Sequence, residues 1–464
     1  MVVAGRRHPP RSGGPAVKRL AAGTRRLVPD VLRRDPEDRW AAAFGRIAVY
    51  SFIVALISGV LLLPFFRLSM ATVVYHGSYS KLDGATMSQA YRSVLAISFD
   101  VRGGLLIRQV HHWSADLFVA AVILRLLRVS FRGRFCGRAL PDWLIWVTLL
   151  PLGMLAAYTG TILPDDGLSG GSLGVITGVL QSVPVIGTHL VFAIFGGAPP
   201  GHQVIGSDYW VHILVLPVLA GALLLAGLRP SLRWPRRVRL DPLLLFTCAV
   251  LVLLGTIAQI NPVWLVGPSQ PGSISSGAVP DWYMGFLDGP LRLMPAWELS
   301  VGGHPLALGV LIPGLVVPAL FFTGLALYPL ADRRIAGGPP RGPQRSRPGT
   351  LLPPAPADLA NRTAAGVAGV TFYGLLWAAA ANDQIAYHLR IPLYTVTWIF
   401  RVLVLAGPPL AFGLTRVVAH ARAGRRQEEE RHGRETGRIV QNPQGGYTEI
   451  REPARPVPDG GPAS

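Results

Sequence analysis

Acidic residues and cysteines are both scarce in this chain of 464 residues: 25 Asp and Glu stand against 44 Lys and Arg, and there are two cysteines. With only 15% charged residues and a mean hydropathy of +0.39, the chain is too apolar for an ordinary soluble domain of its size. Cys136 lies in a basic connection and Cys248 in an apolar run, so no disulfide is expected between them. The lack of a Cys-x-x-Cys-His segment argues against covalently attached haem. The N-terminus has neither the short apolar core nor the small-residue cleavage site of a secretory signal, and none is expected there. No internal repeat is visible.

What the chain does have is apolar runs of membrane length. Eight can be read: Ile47–Phe66, Trp113–Val129, Trp143–Leu163, Tyr209–Leu228, Leu243–Ile260, Leu306–Leu330, Val367–Ala381 and Val396–Val418. The expected fold is all-α, a polytopic membrane protein of about eight transmembrane helices in which the first four form a bundle.

The net charge of +19 could suggest a nucleic-acid partner, but its distribution argues for topology instead. Basic residues crowd the segment up to Arg46. They then cluster in alternate connections: Arg132, Arg134 and Arg138; Arg229, Arg233, Arg236, Arg237 and Arg239; Arg333, Arg334, Arg341, Arg345 and Arg347; and finally the tail. Between Pro164 and Asp208 there is no Lys or Arg at all. The positive-inside rule then places both termini in the cytoplasm, with a multi-pass chain in the cell membrane and no role for nucleic acid.

The expected organisation is a basic segment at 1–40, a four-helix bundle at 41–240, and further membrane helices with a long outer connection at 241–330. A Pro/Gly/Arg linker at 331–362, the last membrane helices at 363–421 and a cytoplasmic tail at 422–464 complete it. The two long outer connections, 164–208 and 261–305, are rich in Gly and Pro. Their apolar patches VITGVLQSV and DWYMGFLDGPLRLM predict short helices lying on the membrane face, where function would be lodged.

The segment RQVHHW opens the second run. Histidine inside a membrane span usually has a partner or a ligand. His111 begins the second span and His212 the fourth, at similar depth near the outer surface. Two neutral imidazoles facing each other across a bundle can hold a haem iron axially. Arg108, one turn before His111, could meet a haem propionate. Interfacial polar residues snorkelling at helix ends explain the same spacing, which alone leaves both readings open. Gly59 and Gly160, towards the outer ends of spans one and three, would give a flat macrocycle room or simply permit close helix contact. Asp116, four residues after His112, reads as a functional carboxylate or as half of an Asp–His pair at the membrane rim.

Several segments together resemble cytochrome b of the quinol–cytochrome c reductase complexes, in particular the menaquinol-oxidising bacterial branch. They are FDVRGGLLIRQVHHW (99–113), LPDDGLSG (163–170), PVIGTHLVFAIFGG (184–197), HILVLP (212–217), QINPVWLVGP (259–268), PDWYMGFLDGPLRLMPAWE (280–298) and AANDQIA (380–386). The likeness runs over roughly residues 30–458. It implies that His111 and His212 hold an outer, low-potential haem b with Arg108 as propionate partner. PDWY at 280–283 resembles the family's quinol-oxidation tetrapeptide: Asp281 would accept a quinol proton, Tyr283 would hydrogen-bond the quinol or its neighbours, Pro280 would shape the turn and Trp282 would pack. Taken alone, PDWY also reads as a surface turn with an aromatic anchor. The implied partners are menaquinol or another quinol, a Rieske iron–sulfur subunit and a cytochrome c subunit, in a dimeric complex surrounded by lipid.

The resemblance breaks at the inner haem. Members of the family carry a second histidine on spans two and four, and fourteen residues of helix cover about 21 Å and return to nearly the same face. Here position 125 is Arg125, and the partner of His212 falls on Ala226 or Gly227, or with a small shift on Arg229. His189, His202, His304 and His388 lie outside, and His420 ends the wrong helix. Arginine cannot ligate iron. Arg125 can snorkel to the inner surface, or fill the vacated space against a carboxylate or lipid phosphate. The expectation is therefore one haem b, quinol oxidation at the outer face and an impaired transmembrane path. The alternative is a haem-poor structural or regulatory membrane paralogue.

Overall fold

The computed structural model describes residues 39–133, 135, 139–197, 204–228, 241–270, 281–302, 304–335, 356–441 and 443–452. Most of the basic N-terminal segment, Cys136, the arginines from Arg229 to Arg239, His202, Pro280 and the middle of the linker lie outside the described residues.

Each of the eight apolar runs falls mainly in a helix. The first, α1 (Arg39–Leu62), is followed by a hairpin of β1 (Thr72–Val74) and β2 (Thr86–Ser88). Helix α2 (Gln89–Phe99) comes next, started by Ser88, whose hydroxyl accepts from the Tyr91 N–H. Then come α3 (Gly104–Arg132), α4 (Leu140–Ile162), the short helices α5 (Gly167–Gln181) and α6 (Gly187–Phe195), and the span α7 (Ile205–Gly227). The second half holds α8 (Pro242–Ile257), α9 (Gly285–Leu293), a hairpin of β3 (Glu298–Val301) and β4 (His304–Ala307), and α10 (Leu308–Asp332). It closes with α11 (Pro356–Ala379), α12 (Asn382–Leu389) and α13 (Leu393–His432).

Helices α1, α4, α7, α10 and α13 are each long and apolar enough to cross a membrane. Helices α11 and α12 are apolar enough only as a pair, bent by 66° as a broken span or a re-entrant loop, and α8 is a shorter apolar helix. The 29 residues of α3 reach about 43 Å, more than a bilayer core, despite its polar load. The short helices α5, α6 and α9 fall in the connections 164–208 and 261–305; the apolar patches predict α5 and α9 but not α6. The hairpins and α2 were not foreseen. Beyond its apolar run, α13 continues through the charged segment to His432 and leads into an antiparallel hairpin, β5 (Arg434–Gln441) and β6 (Tyr447–Glu452).

Helix α3 is the hub. It packs on α1, α4 and α8, while α7 closes against α4. Ala48, Val119, Val122, Trp143, Leu149, Ala220 and Leu224 share one buried cluster between them. Ile57, Leu225, Leu253 and Leu405 instead point outward and are exposed, as lipid-facing residues of a membrane bundle are. The α7 backbone is irregular at one point. It loosens into a π-helical turn at Val211–Val215, just before Pro217, whose missing N–H cannot close the regular ladder. His212 sits in that turn.

Candidate functional site

His111 on α3 and His212 on α7 face each other across the bundle, with ring centroids 6.0 Å apart and planes at 75°. Their surroundings repeat almost atom for atom. Nδ1 of His111 lies 2.9 Å from the Ala55 carbonyl and 3.2 Å from the Ser58 hydroxyl of α1. Nδ1 of His212 lies 2.9 Å from the Ala156 carbonyl and 3.1 Å from the Thr159 hydroxyl of α4. A carbonyl only accepts, so Nδ1 carries the proton in each ring and the Nε2 lone pair stays free for a metal. Two imidazoles on one metal, with bonds of about 2.0 Å to each Nε2, put their centroids about 6.3 Å apart. The observed spacing fits that arrangement.

The glycines matter for the same reason. A Cβ on Gly59 would stand 3.1 Å from His111 Cε1, and one on Gly160 2.8 Å from His212 Cε1. A hydrogen at each position lets the imidazoles lie against the neighbouring helix; a methyl would force the His212 ring to shift and crowd that of His111.

The rest of RQVHHW ties α3 to the turn after α8. Gln109 exchanges two hydrogen bonds with the Ile260 backbone, and the Trp113 indole donates to the Ala258 carbonyl. Arg108 donates through Nη2 to the Asn261 carbonyl at 2.6 Å, while its Nη1 is buried with no hydrogen-bond partner among the described residues. A buried, unused guanidinium nitrogen one turn from His111 is what a carboxylate substituent of a bound macrocycle could satisfy.

A cavity of about 430 Å³ joins these groups. Arg108, His111, His212 and both glycines line it, and so do Asn261, Asp281 and Arg292. Asp281 accepts from the Tyr283 hydroxyl at 2.8 Å and from the Asn261 amide at 3.4 Å. Burial pushes its carboxyl above the ordinary carboxylate range, and those two donors oppose the rise. Tyr283 is fully buried. Trp282 does more than pack: its indole donates to Asp116 of α3 at 3.1 Å. This corrects the expected Asp–His pairing at the rim, because the partner of Asp116 comes from the outer connection. Asn261 was not foreseen as a site residue. An Asn-Pro dipeptide is a turn signal, but only the fold shows that Asn261, at a positive φ of 43°, sends its carbonyl to Arg108 and its amide to Asp281.

At the other end of the bundle Arg125 does not snorkel. Its side chain is 16% exposed and ion-paired to Asp142 of α4 at 2.9 Å. Nη1 donates to the Ala41 carbonyl, and the guanidinium lies 4.3 Å from the centre of the Trp146 ring. Trp146 itself donates to the other oxygen of Asp142. Gly227 abuts this cluster, with Ile145, Asp142 and Trp146 within 4 Å of where its Cβ would be. Gly45 touches Arg125 as Gly59 touches His111, fourteen residues away. The matching position on α4, fourteen before Gly160, is Trp146. A glycine–imidazole arrangement at one end is thus replaced at the other by arginine, aspartate and indole.

A family profile described as "Cytochrome b(N-terminal)/b6/petB" matches residues 116–268. The chain is 39% identical to the "Cytochrome bc1 complex cytochrome b subunit" of Streptomyces coelicolor, covering 96% of this chain and 86% of that one. It is 36% identical to the protein of the same description from Corynebacterium diphtheriae, over 95% and 83% of the two chains. The likeness to that of Mycobacterium tuberculosis is 38%, over 91% and 79%. A solved structure described as "Hyperthermophilic respiratory Complex III" shares the fold, with a TM-score of 0.56 and 17% identity over 87% of this chain and all of that one.

Proposed function

Since this chain belongs to the cytochrome b subunits of cytochrome bc1 complexes, and so serves quinol–cytochrome c electron transfer in a membrane, we propose that its cavity is a one-haem quinol-oxidation site at the outer face. The observation that carries this reading is the shared cavity, which brings the facing imidazoles and the carboxylate of Asp281 together. His111 and His212 would hold a b-type haem, and Arg108 would meet a propionate through its unused Nη1. When bound, that haem supplies a one-electron acceptor close to the quinol.

The chain's own residues do the rest. Asp281 takes a proton from the quinol hydroxyl, and Tyr283 and Asn261 steady the carboxylate as it does so. The quinol is menaquinol in this reading, the second electron leaves to a Rieske iron–sulfur subunit and thence to a cytochrome c subunit, and the assembly is a dimer in the cell membrane. The alternation of basic connections supports placing both termini in the cytoplasm. At the inner end the Arg125–Asp142–Trp146 cluster stands where a second haem would need two histidines and a second glycine. In this reading the chain lacks a haem relay to the inner face, so steady turnover requires both quinol electrons to leave at the outer face to the Rieske subunit.

Two expected results test the reading. Added reduced quinol should reduce one b-type absorbance band in the assembled complex; a band that quinol leaves oxidised contradicts the site. Gly160→Ala should push the His212 ring aside and lower haem occupancy, measured by absorbance per polypeptide. Gly206→Ala in α7, the helix of His212, with open space where its Cβ would go, should leave occupancy unchanged.

A further inference from the structure

Asp116 is the only carboxylate on α3, the helix that carries His111 and Arg125, and it is 8% exposed. An acidic side chain inside a membrane helix is costly and is kept when a specific partner needs it. The partner here is Trp282, 166 residues further along the chain, and it lies in the segment that carries Asp281 and Tyr283. A single tight turn, Trp282–Met284, separates the roles of these neighbours. Trp282 reaches α3 while Tyr283 is fully buried and donates back to Asp281. The two rings stand nearly perpendicular, at 86° with centroids 5.9 Å apart. The placement of the indole and that of the tyrosine, with its bond to the carboxylate, are thus set together.

The other polar ties from this turn to the elements around it are longer. The Asn261 amide reaches Asp281 at 3.4 Å, and the Tyr373 hydroxyl reaches the Tyr283 carbonyl at 3.4 Å. The 3.1 Å bond to Asp116 is the shortest side-chain link from the turn to a membrane helix among the described residues. It also ends on the helix that bears His111.

We propose that Asp116 is a positioning residue of the quinol-oxidation site: through the Trp282 indole it fixes the turn that presents Asp281, and so sets the base relative to the His111 helix. The inference rests on the quinol-site reading above. What Asp116 supplies is an acceptor oxygen for an N–H, which an amide oxygen can also supply. Misplacement of a reacting group by about 1 Å can cost as much as 100-fold in rate, so a partial shift of the turn should be visible in kcat.

The experiment compares Asp116→Leu, Asp116→Asn, Trp282→Phe and the double variant Asp116→Leu/Trp282→Phe in the complete complex. It measures kcat and KM with reduced quinol, together with haem per polypeptide. Asp116→Leu and Trp282→Phe should each lower kcat about tenfold with a smaller change in KM and unchanged haem content. Asp116→Asn should stay within about threefold of the parent, since its amide oxygen can accept the same bond. The double variant should be no worse than the poorer single one, because both remove one interaction.

A full kcat in Asp116→Leu overturns the proposal. So does Asp116→Asn falling as far as Asp116→Leu, or losses that multiply in the double variant. If Asp116→Leu fails to accumulate, Trp282→Phe, which deletes the donor and keeps a smaller aromatic ring, decides the matter against Asp116→Asn. Asp281→Asn separates this inference from the reading beneath it. Full turnover in that variant sinks the quinol site itself, whereas lost turnover there with Asp116→Leu unaffected sinks only the positioning role.

Discussion

Replacing His111 with alanine is expected to abolish haem binding and, with it, quinol–cytochrome c turnover of the complex. The ring is placed by two contacts from α1, the Ala55 carbonyl and the Ser58 hydroxyl, and by the absence of a side chain at Gly59. Alanine leaves His212 as a single ligand opposite a void. Among the described residues the nearest histidine is His112, which also lines the cavity but sits about 100° around the helix from His111, away from the line to His212. His212→Ala should behave alike, since its environment on α4 mirrors that on α1. Pyridine haemochrome content of the purified chain and turnover in membranes measure the two effects. Retained haem in both variants would rule out the imidazole pair as the ligands.

The second large effect is expected at Asp281. Asparagine keeps the shape and the bond from Asn261 but cannot take a proton, so turnover should fall about 10²–10⁴-fold, the usual contribution of a positioned acid–base group. The sign of the pH dependence comes from the surroundings. Burial raises the Asp281 carboxyl above its ordinary range, and the Tyr283 hydroxyl and Asn261 amide pull it down. The active form is the carboxylate, so activity is lost as pH falls through this raised value. Tyr283→Phe removes the first of the opposing donors. The acid limb of kcat/KM should then move to higher pH, with the plateau above it less affected. A limb that stays in place, or moves down, would assign the proton to another group.

Much of this site was open to a reader of the sequence, and the rest was not, for physical reasons. Membrane helices announce themselves because lipid demands some twenty apolar residues in a row, so all eight runs reappear as helices. His111, His212, Gly59 and Gly160 were legible because polar or tiny residues in apolar runs stand out. The contacts between distant segments were hidden. Nothing near Asp116 names Trp282, and nothing near Asn261 says that it faces Arg108 on one side and Asp281 on the other. The hairpin of β1 and β2 has strands of three residues each, too short for any alternation to show. The inner cluster was half legible. Arg125 was seen as a missing ligand, and a carboxylate was one of the partners considered for it. The fourteen-residue step from Gly59 to Gly45, set beside that from Gly160 to Trp146, could have shown that one end had also lost its room for a macrocycle.

In the proposed reading that loss limits the bundle to one haem. A haem needs two imidazoles and space between four helices; one end of the bundle has both, and the other has an ion pair capped by an indole. The ion pair is well served there: a guanidinium with a carboxylate, a carbonyl and an aromatic face has little reason to yield. The direct test is the number of b-type haems per polypeptide in the purified chain, by pyridine haemochrome against quantitative amino-acid analysis. One haem is the predicted result; two would contradict it, and would return the inner end of the bundle to transmembrane electron transfer.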